Sequence, residues 1–570
     1  MTNLAKSMLA VVLLAATVAT AQAPKGGTFD TLIEGSRIVD GTGAPWYIAD
    51  IGIVGDRIQA IGRLKDGSAT RRIDANGLVV APGFIDMLGQ SEFNLLVDNR
   101  AASKVLQGVT SEITGELASI APLNDRQLAE GGAFYGRFAQ FGVEADFRTL
   151  DGYFKRLAER THPAINLSTF IGSGGVRDYV IGKVNRPATP PEMDQMKKLI
   201  AQGMEEGALG VSSSLQYVPS IFSSTDELVE LAKVAASYGG LYATHQRSEG
   251  DHVFESLDEV FAIAERAKIP AEIWHLKAAD RENWGKMGEI LKRIEAARAR
   301  GLDVSANMYP YSASMNPLDS SLPPWVREGG VEQMLLRLRD PVQRERAKSD
   351  MQQPAATWEN QYYGCGGGDG LMLVSVSNPN LRQYEGMTLA QIGKQQNKDP
   401  RDALMDTVIA DRGMSRAVNF MMDEADVQLA LKNPLLSIGT DAPPKAEDGP
   451  LAPSKSHPRA WGSFPRILGH YVRDEHLLTL EEAIRKMTSQ PAARVHLNDR
   501  GILRPGMMAD IAVFDGATIR DIATYNDPNH YSVGIQYVLV NGRLVVDHSK
   551  LTTERPGRVL RGPGYRKHAD

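Results

Sequence analysis

Short apolar runs alternate with helical patterns through most of this chain, and this alternation limits the folds open to it. Eight runs are typical of strands: Gly83–Met87, Val109–Thr114, Asn166–Gly172, Ala208–Ser214, Leu241–His245, Ala271–His275, Asp303–Tyr309 and Leu435–Asp441. Helical patterns such as Pro191–Glu206, Asp226–Ser237 and Leu257–Lys268 separate most of them. Strands that alternate with helices favour parallel βαβ units, and eight strands predict an α/β fold with a TIM-like (β/α)8 barrel.

The two ends of the chain differ from this pattern. Residues 24–80 and 497–570 contain short β-rich runs separated by turn signals, and we expect them to pair into one small composite β-domain. The barrel is then expected over 81–496. The stretch between its seventh and eighth strands is too long for one crossover, so residues 322–413 are predicted to be an insertion, such as a cap over the active site.

The first 23 residues are typical of a cleavable signal peptide. Lys6 supplies a positive charge, Met8 to Ala21 form an apolar stretch too short to span a bilayer comfortably, and small residues suitable for cleavage follow at Ala21 and Ala23. We therefore expect a periplasmic or secreted protein without a membrane span in its mature form.

Composition excludes some classes of partner and cross-link. A formal net charge of -6 on 570 residues gives no indication of nucleic-acid binding. Cys365 is the single cysteine, so an intrachain disulfide is impossible. The oligomeric state stays open.

Two histidines end neighbouring strand candidates. His245 closes one apolar run, His275 closes the next, and Asp441 ends the eighth. The carboxyl ends of the strands meet at one face of a (β/α)8 barrel, so these side chains are expected to converge there. Neutral imidazole is a good zinc ligand, and histidines beside a carboxylate suggest metal-assisted hydrolysis.

Six motifs occur in order along nearly all of the predicted mature chain. They are Ala81–Asp86, Gly207–Ser213, Tyr242–Arg247, Ile438–Ala442, His457–Arg466 and Gly506–Ile511. In these motifs the chain resembles the N-acyl-D-amino-acid deacylases (D-aminoacylases) of the amidohydrolase superfamily. The resemblance implies an amidohydrolase barrel with a composite β-domain, zinc, and hydrolysis of the acyl amide of a D-amino acid.

The resemblance also implies roles for individual residues. It makes His245 and His275 metal ligands, Asp441 the catalytic acid and base, and Arg459 the residue that binds the substrate carboxylate. To this set we add Lys277, two residues after His275, as a further source of positive charge. Tyr309, at the end of the seventh strand candidate, is expected to donate a hydrogen bond to the substrate.

The chain departs from the family pattern at two metal positions. Leu88 and Gln90 stand where the superfamily has His-x-His, and leucine cannot bind a metal. D-aminoacylases use a cysteine ligand after the second strand, where this chain has Glu116 instead. Glu116, His245 and His275 would form a His2Glu set suited to a catalytic zinc. We therefore expect about one zinc per chain rather than two.

Three functions follow as hypotheses. The first is an exported zinc-dependent amidohydrolase that acts on N-acyl-D-amino acids or related small amides. The second is a dipeptidase or cyclic-amide hydrolase on the same scaffold, since a fold does not fix a substrate. The third is a non-catalytic binding protein on a decayed enzyme scaffold. The acyl group, the side chain and the D or L preference stay open.

Overall fold

The computed structural model describes residues 28–116, 118–452 and 455–567, so the predicted signal peptide lies outside it. The strands are β1 (Thr28–Ile38), β2 (Tyr47–Val54), β3 (Arg57–Gly62), β4 (Ser68–Asp74), β5 (Val79–Pro82), β6 (Phe84–Asp86), β7 (Val109–Thr114), β8 (Asn166–Thr169), β9 (Ile171–Gly172), β10 (Gly210–Ser214), β11 (Leu241–His245), β12 (Ala271–Ile273), β13 (Val304–Met308), β14 (Ser314–Pro317), β15 (Leu371–Ser375), β16 (Arg416–Asn419), β17 (Leu436–Ile438), β18 (Ile511–Phe514), β19 (Ile535–Val540), β20 (Arg543–Asp547) and β21 (Lys550–Leu551).

The helices lie mainly between these strands. They are α1 (Asn94–Val97), α2 (Ala102–Val105), α3 (Asp125–Glu130), α4 (Gly132–Gln140), α5 (Leu150–Arg156), α6 (Ser173–Val180), α7 (Pro190–Glu205), α8 (Thr225–Ser237), α9 (Val253–Ala267), α10 (Met287–Ala299), α11 (Pro324–Arg327), α12 (Val331–Arg339), α13 (Pro341–Asp350), α14 (Gln361–Gly364), α15 (Leu389–Gln396), α16 (Pro400–Ala410), α17 (Glu424–Lys432), α18 (Arg459–Arg466), α19 (Leu480–Met487) and α20 (Ser489–Arg494). Within the described residues, every helix is too short or too polar to cross a membrane.

The eight predicted strand runs form a closed parallel barrel. Strands β6, β7 and β8 pair in that order, and β9, β10, β11, β12, β13 and β17 form a second parallel series. Only Phe170 separates β8 from β9, and its N–H donates to Thr114 O at 3.0 Å. The ring closes where the N–H of Met87 donates to Ile438 O at 3.1 Å. The predicted fold class is therefore confirmed.

Strands from both ends of the chain lie in one further sheet. Its order is β21-β20-β19-β18-β5-β1-β2-β3, with β4 beside β1. Strand β18 runs antiparallel to β5, so the C-terminal strands pair with the strand that leads into the barrel. Buried aliphatic side chains from both ends, including Ile33, Ile51, Val80, Ile511 and Leu539, form its core. The domain limits given above stay predictions.

A small antiparallel sheet with its own core lies between β13 and β17. Its order is β14-β16-β15, and helices α11 to α16 surround it. The sheet begins at Ser314 and ends at Asn419, which face each other across β14 and β16, so this structure extends beyond the predicted 322–413. Its first strand contains polar residues and Pro317 rather than alternating apolar residues, so the sequence pattern does not mark it as a strand.

A buried ion pair joins the first and last strands of the barrel. Lys104, on α2, is fully buried, and its Nζ donates to Asp86 Oδ2 at 2.6 Å, to Thr440 Oγ1 at 2.6 Å and to Ala442 O at 2.8 Å. Asp86 Oδ1 accepts the backbone N–H of Thr440 at 2.8 Å. A buried charge requires such partners, because water no longer solvates it.

We expect Lys104→Met to lower the free energy of unfolding by ~3–5 kcal/mol, because it leaves the Asp86 carboxylate buried without its cation. Denaturant unfolding measures this loss. The matched control is Lys398→Met, which removes an exposed lysine 2.6 Å from Asp406 and should cost no more than ~1 kcal/mol. Equal losses in the two variants would contradict the structural role of the buried pair.

Candidate active site

Three predicted ligands converge at the carboxyl ends of the barrel strands. Glu116 Oε1 lies 3.1 Å from His245 Nδ1 and 2.8 Å from His275 Nε2, and these two nitrogens are 2.9 Å apart. All three side chains are buried. Gly115, at φ +102°, allows the turn that aims Glu116 inward, and a Cβ there would lie 2.6 Å from Phe170 O.

Two residues that the sequence did not single out orient the imidazoles. His245 Nε2 lies 3.0 Å from Gln216 Oε1, and His275 Nδ1 lies 2.9 Å from Glu249 Oε1. When each of these nitrogens carries the proton, the other nitrogen of each ring faces Glu116. This is the arrangement of metal-binding histidines, whose second nitrogen donates to an oxygen. Their position in the sequence could have indicated them, because Gln216 and Glu249 follow closely after the ends of β10 and β11, at the face of the barrel where the site forms.

The three donors fit one metal ion of the zinc type. Zinc binds such atoms at ~2.0–2.2 Å, so the ligand atoms of a tetrahedral site lie ~3.3 Å apart, only slightly more than here. The electrostatics also favour a cation. Burial and Lys277 lower the pKa of His275, yet the carboxylates of Glu249 and Glu116 outweigh them and raise it to about 9. Burial opposes ionisation of Glu116, but the two imidazoles hold its pKa well below its usual value.

The residues that replace the His-x-His pair offer no imidazole to a second metal. Leu88 is buried among apolar side chains inside the barrel. The Gln90 amide nitrogen donates to Glu116 Oε2 at 2.7 Å and to Asp441 Oδ1 at 2.8 Å, so a neutral donor lies between two carboxylates. In the described part of the chain, the only close group of three histidine, cysteine or acidic side chains is Glu116, His245 and His275.

Asp441 lies beside this group and is paired with Arg459. It follows β17 with a backbone φ of +47°, and its Oδ2 is 2.8 Å from Arg459 Nη1. Burial raises the pKa of Asp441 to about 6, although the guanidinium opposes the shift. The Arg459 guanidinium stacks over the Tyr309 ring at 4.5 Å. Arg459, predicted as a substrate ligand, thus contacts the predicted acid and base.

Lys277 and Tyr309 are also placed at the site. Lys277 Nζ lies 2.6 Å from Glu249 Oε1 and 2.7 Å from His275 Nδ1. The Tyr309 hydroxyl is buried and has no hydrogen-bond partner among the described residues, so it is available to a ligand. Apart from Arg459, every predicted site residue lines one small cavity, which we call the metal-site cavity.

Comparisons with known proteins agree with this arrangement. The chain matches the model described as "Amidohydrolase family" over residues 71–334 and 399–546. It is 36% identical to a D-aminoacylase of Alcaligenes xylosoxydans xylosoxydans, over 93% of this chain and 97% of that protein. An N-acyl-D-glutamate deacylase of the same organism is 35% identical, over 93% and 96%.

A solved structure extends the comparison to three dimensions. The crystal structure of N-acyl-D-glutamate deacylase from Bordetella bronchiseptica, complexed with zinc and a phosphonate inhibitor, superposes with a TM-score of 0.78. It is 31% identical and covers 94% of this chain and 100% of that one. The resemblance predicted from the sequence is therefore confirmed.

We expect Gln90→Leu to lower the free energy of unfolding of the metal-free protein by ~1–3 kcal/mol, because two buried carboxylate oxygens lose their donor. Denaturant unfolding after chelation measures this. Gln140→Leu is the control, since its amide bonds only to Ser377 at an exposed position. A loss no larger than in the control would mean that the Gln90 amide does not stabilise the two carboxylates.

Proposed function

This chain belongs to the amidohydrolase family, and from that premise we propose that it is a zinc-dependent enzyme that hydrolyses the amide bond of N-acyl-D-amino acids. One observation carries the proposal: Glu116, His245 and His275 converge beside Asp441 at the carboxyl ends of the barrel strands. Similarity to D-aminoacylase and to N-acyl-D-glutamate deacylase over most of the chain supports the substrate class.

The metal is assigned to the three converging side chains. Zinc held by Glu116, His245 and His275 supplies Lewis acidity, which favours attack on a carbonyl carbon. Gln216 Oε1 lies 3.0 Å from Nε2 of His245 and Glu249 Oε1 lies 2.9 Å from Nδ1 of His275, so the other nitrogen of each ring is directed at the metal position.

Asp441 is assigned the proton transfers. Gln90 fixes one of its oxygens and Arg459 contacts the other, so the carboxylate is held at the wall of the metal-site cavity. As general base it takes a proton from the attacking water, and as general acid it returns that proton to the nitrogen of the leaving amine. One carboxylate therefore serves both steps of amide hydrolysis.

The α-carboxylate of the substrate is assigned to Arg459, Lys277 and Tyr309. The Arg459 Nε is buried and has no hydrogen-bond partner among the described residues, so a donor remains although Nη1 contacts Asp441. A guanidinium binds a carboxylate through two parallel hydrogen bonds, which fixes the substrate's orientation as well as its charge. Lys277, which lines the metal-site cavity, adds a second cation.

Export to the periplasm or out of the cell is proposed on the sequence pattern of residues 1–23, which is typical of a cleavable signal peptide.

A panel of N-acetyl-D- and N-acetyl-L-amino acids, dipeptides and cyclic amides tests the main proposal. Selective hydrolysis of the D compounds supports it. Preference for dipeptides or cyclic amides supports the second hypothesis, and a metal-free protein without turnover supports a binding role.

We expect about one zinc per chain in the purified protein, because Leu88 and Gln90 replace two ligands while His245 and His275 are kept. Elemental analysis measures the stoichiometry. His245→Ala should lose most of the zinc, since it removes one of three protein ligands. Two equivalents in the wild type, both required for turnover, would contradict this assignment.

We expect Asp441→Asn to lower kcat by ~10²-fold or more, because the amide keeps the size of the side chain but cannot accept the proton. Zinc content and melting temperature are measured on the same variant and should stay near the wild-type values. Asp527→Asn, at an exposed position, is the control. A folded, zinc-loaded Asp441→Asn protein with wild-type turnover would end the proposed mechanism.

A further inference from the structure

A larger cleft continues outward from the metal-site cavity. It opens to solvent and shares Tyr217, Pro317 and Arg416 with that cavity. We call it the outer cleft. Part of its wall comes from α4 and part from the small antiparallel sheet and the helices around it. A substrate group that extends from the scissile amide can therefore enter it.

Two arginines in this wall lack partners. Arg416 is the first residue of β16, and Arg327 is the last residue of α11. Neither side chain forms a hydrogen bond or ion pair with any residue in the described part of the chain. Arg327 is only 7% exposed, and its Nε is buried. The loss of water around the Arg327 guanidinium without an acceptor in its place is unfavourable, and Arg416 is half-buried beside the same cleft. Both side chains therefore favour an anion in the outer cleft.

The acidic groups in the cleft do not neutralise these arginines. Asp178 is already paired with Lys183 at 3.0 Å. Asp319 lines the cleft but forms no ion pair within 4.0 Å with any described residue, and burial raises its pKa although Arg327 opposes the shift. Burial lowers the pKa of Arg327 although Asp319 opposes the shift. Three basic side chains, Lys183, Arg327 and Arg416, line the cleft with only two acidic ones, so the wall has an excess of positive charge.

A further arginine lies close to this excess of positive charge. Arg137 lies on α4, and burial together with Arg416 lowers its pKa to about 9. Arg416 itself has a pKa lowered by burial and by Arg459, although Tyr217 and Asp441 oppose this shift. Positive groups therefore destabilise one another around the junction of the two cavities, and a bound anion would relieve that repulsion.

We propose that Arg416 and Arg327 bind a second carboxylate of the substrate, so that the preferred substrates are N-acyl-D-amino acids with an acidic group in the side chain or the acyl chain. This inference rests on the proposed function. Planar guanidinium groups bind carboxylates through paired hydrogen bonds, which suits this site better than a neutral polar group. Arg416 lines both cavities, so an extending group meets it before Arg327.

The test compares kcat/KM for N-acetyl-D-glutamate, N-succinyl-D-leucine and N-acetyl-D-leucine. The wild type should prefer one of the two dicarboxylates by ~10-fold or more, as expected for a charge-assisted contact. Preference for the glutamate compound places the second carboxylate on the side chain, and preference for the succinyl compound places it on the acyl chain. Arg416→Gln and Arg327→Gln should remove this preference mainly through KM.

Two further variants make the result specific. Arg416→Lys keeps the charge but not the paired geometry and should keep part of the preference. Arg339→Gln, an exposed arginine on α12, should leave the preference unchanged. Melting temperatures show which variants fold. Equal or faster turnover of N-acetyl-D-leucine by the wild type, or a preference that survives both glutamine substitutions, would overturn the proposal.

A binding measurement separates this proposal from the proposed function. If no N-acyl-D-amino acid is hydrolysed, the proposed function fails, and calorimetry with glutarate and butyrate decides whether the anion site exists. Tighter binding of glutarate that is lost in Arg416→Gln supports the site. Equal binding of the two acids, or glutarate binding that Arg416→Gln does not change, overturns it.

Discussion

The buried pair of Lys104 and Asp86 is the interaction on which the geometry of the active site depends. Lys104 joins β6 to the backbone beyond β17 through Asp86, Thr440 and Ala442, at the place where the barrel closes. Thr440 and Ala442 are the neighbours of Asp441, whose positive φ costs ~1–3 kcal/mol and persists only where its surroundings impose it. The same contacts thus close the barrel and aim the carboxylate.

Charge balance explains how the site differs from the family pattern. The carboxylates around the two imidazoles would favour a cation between them, and the amide nitrogen of Gln90 donates to both Glu116 and Asp441. Leu88 fills the remaining space with apolar contacts. Hydrogen bonds from Gln90 thus stabilise the two carboxylates, and a second positive charge is less necessary there.

In the proposed function, the barrel supplies the catalytic residues and the small antiparallel sheet with its helices supplies residues that recognise the substrate. All three assigned ligands and Asp441 lie at barrel strand ends, where rigid strands fix the distances. Arg416 and Arg327 come instead from the sheet and helices between β13 and β17. Residues in this inserted sheet and its helices can change without disturbing the metal position. One scaffold can therefore serve different substrates.

The eight strands, their parallel order and the convergence of His245, His275 and Asp441 could be predicted from the amino-acid sequence, because apolar periodicity marks each strand and barrel geometry brings strand ends together. The pairing of Asp441 with Arg459, the hydrogen bonds of Gln90 and the contacts of Lys104 and Glu249 could not. These contacts depend on the folded chain, because they join polar side chains from separate loops and helices, and no local pattern records which buried charges meet.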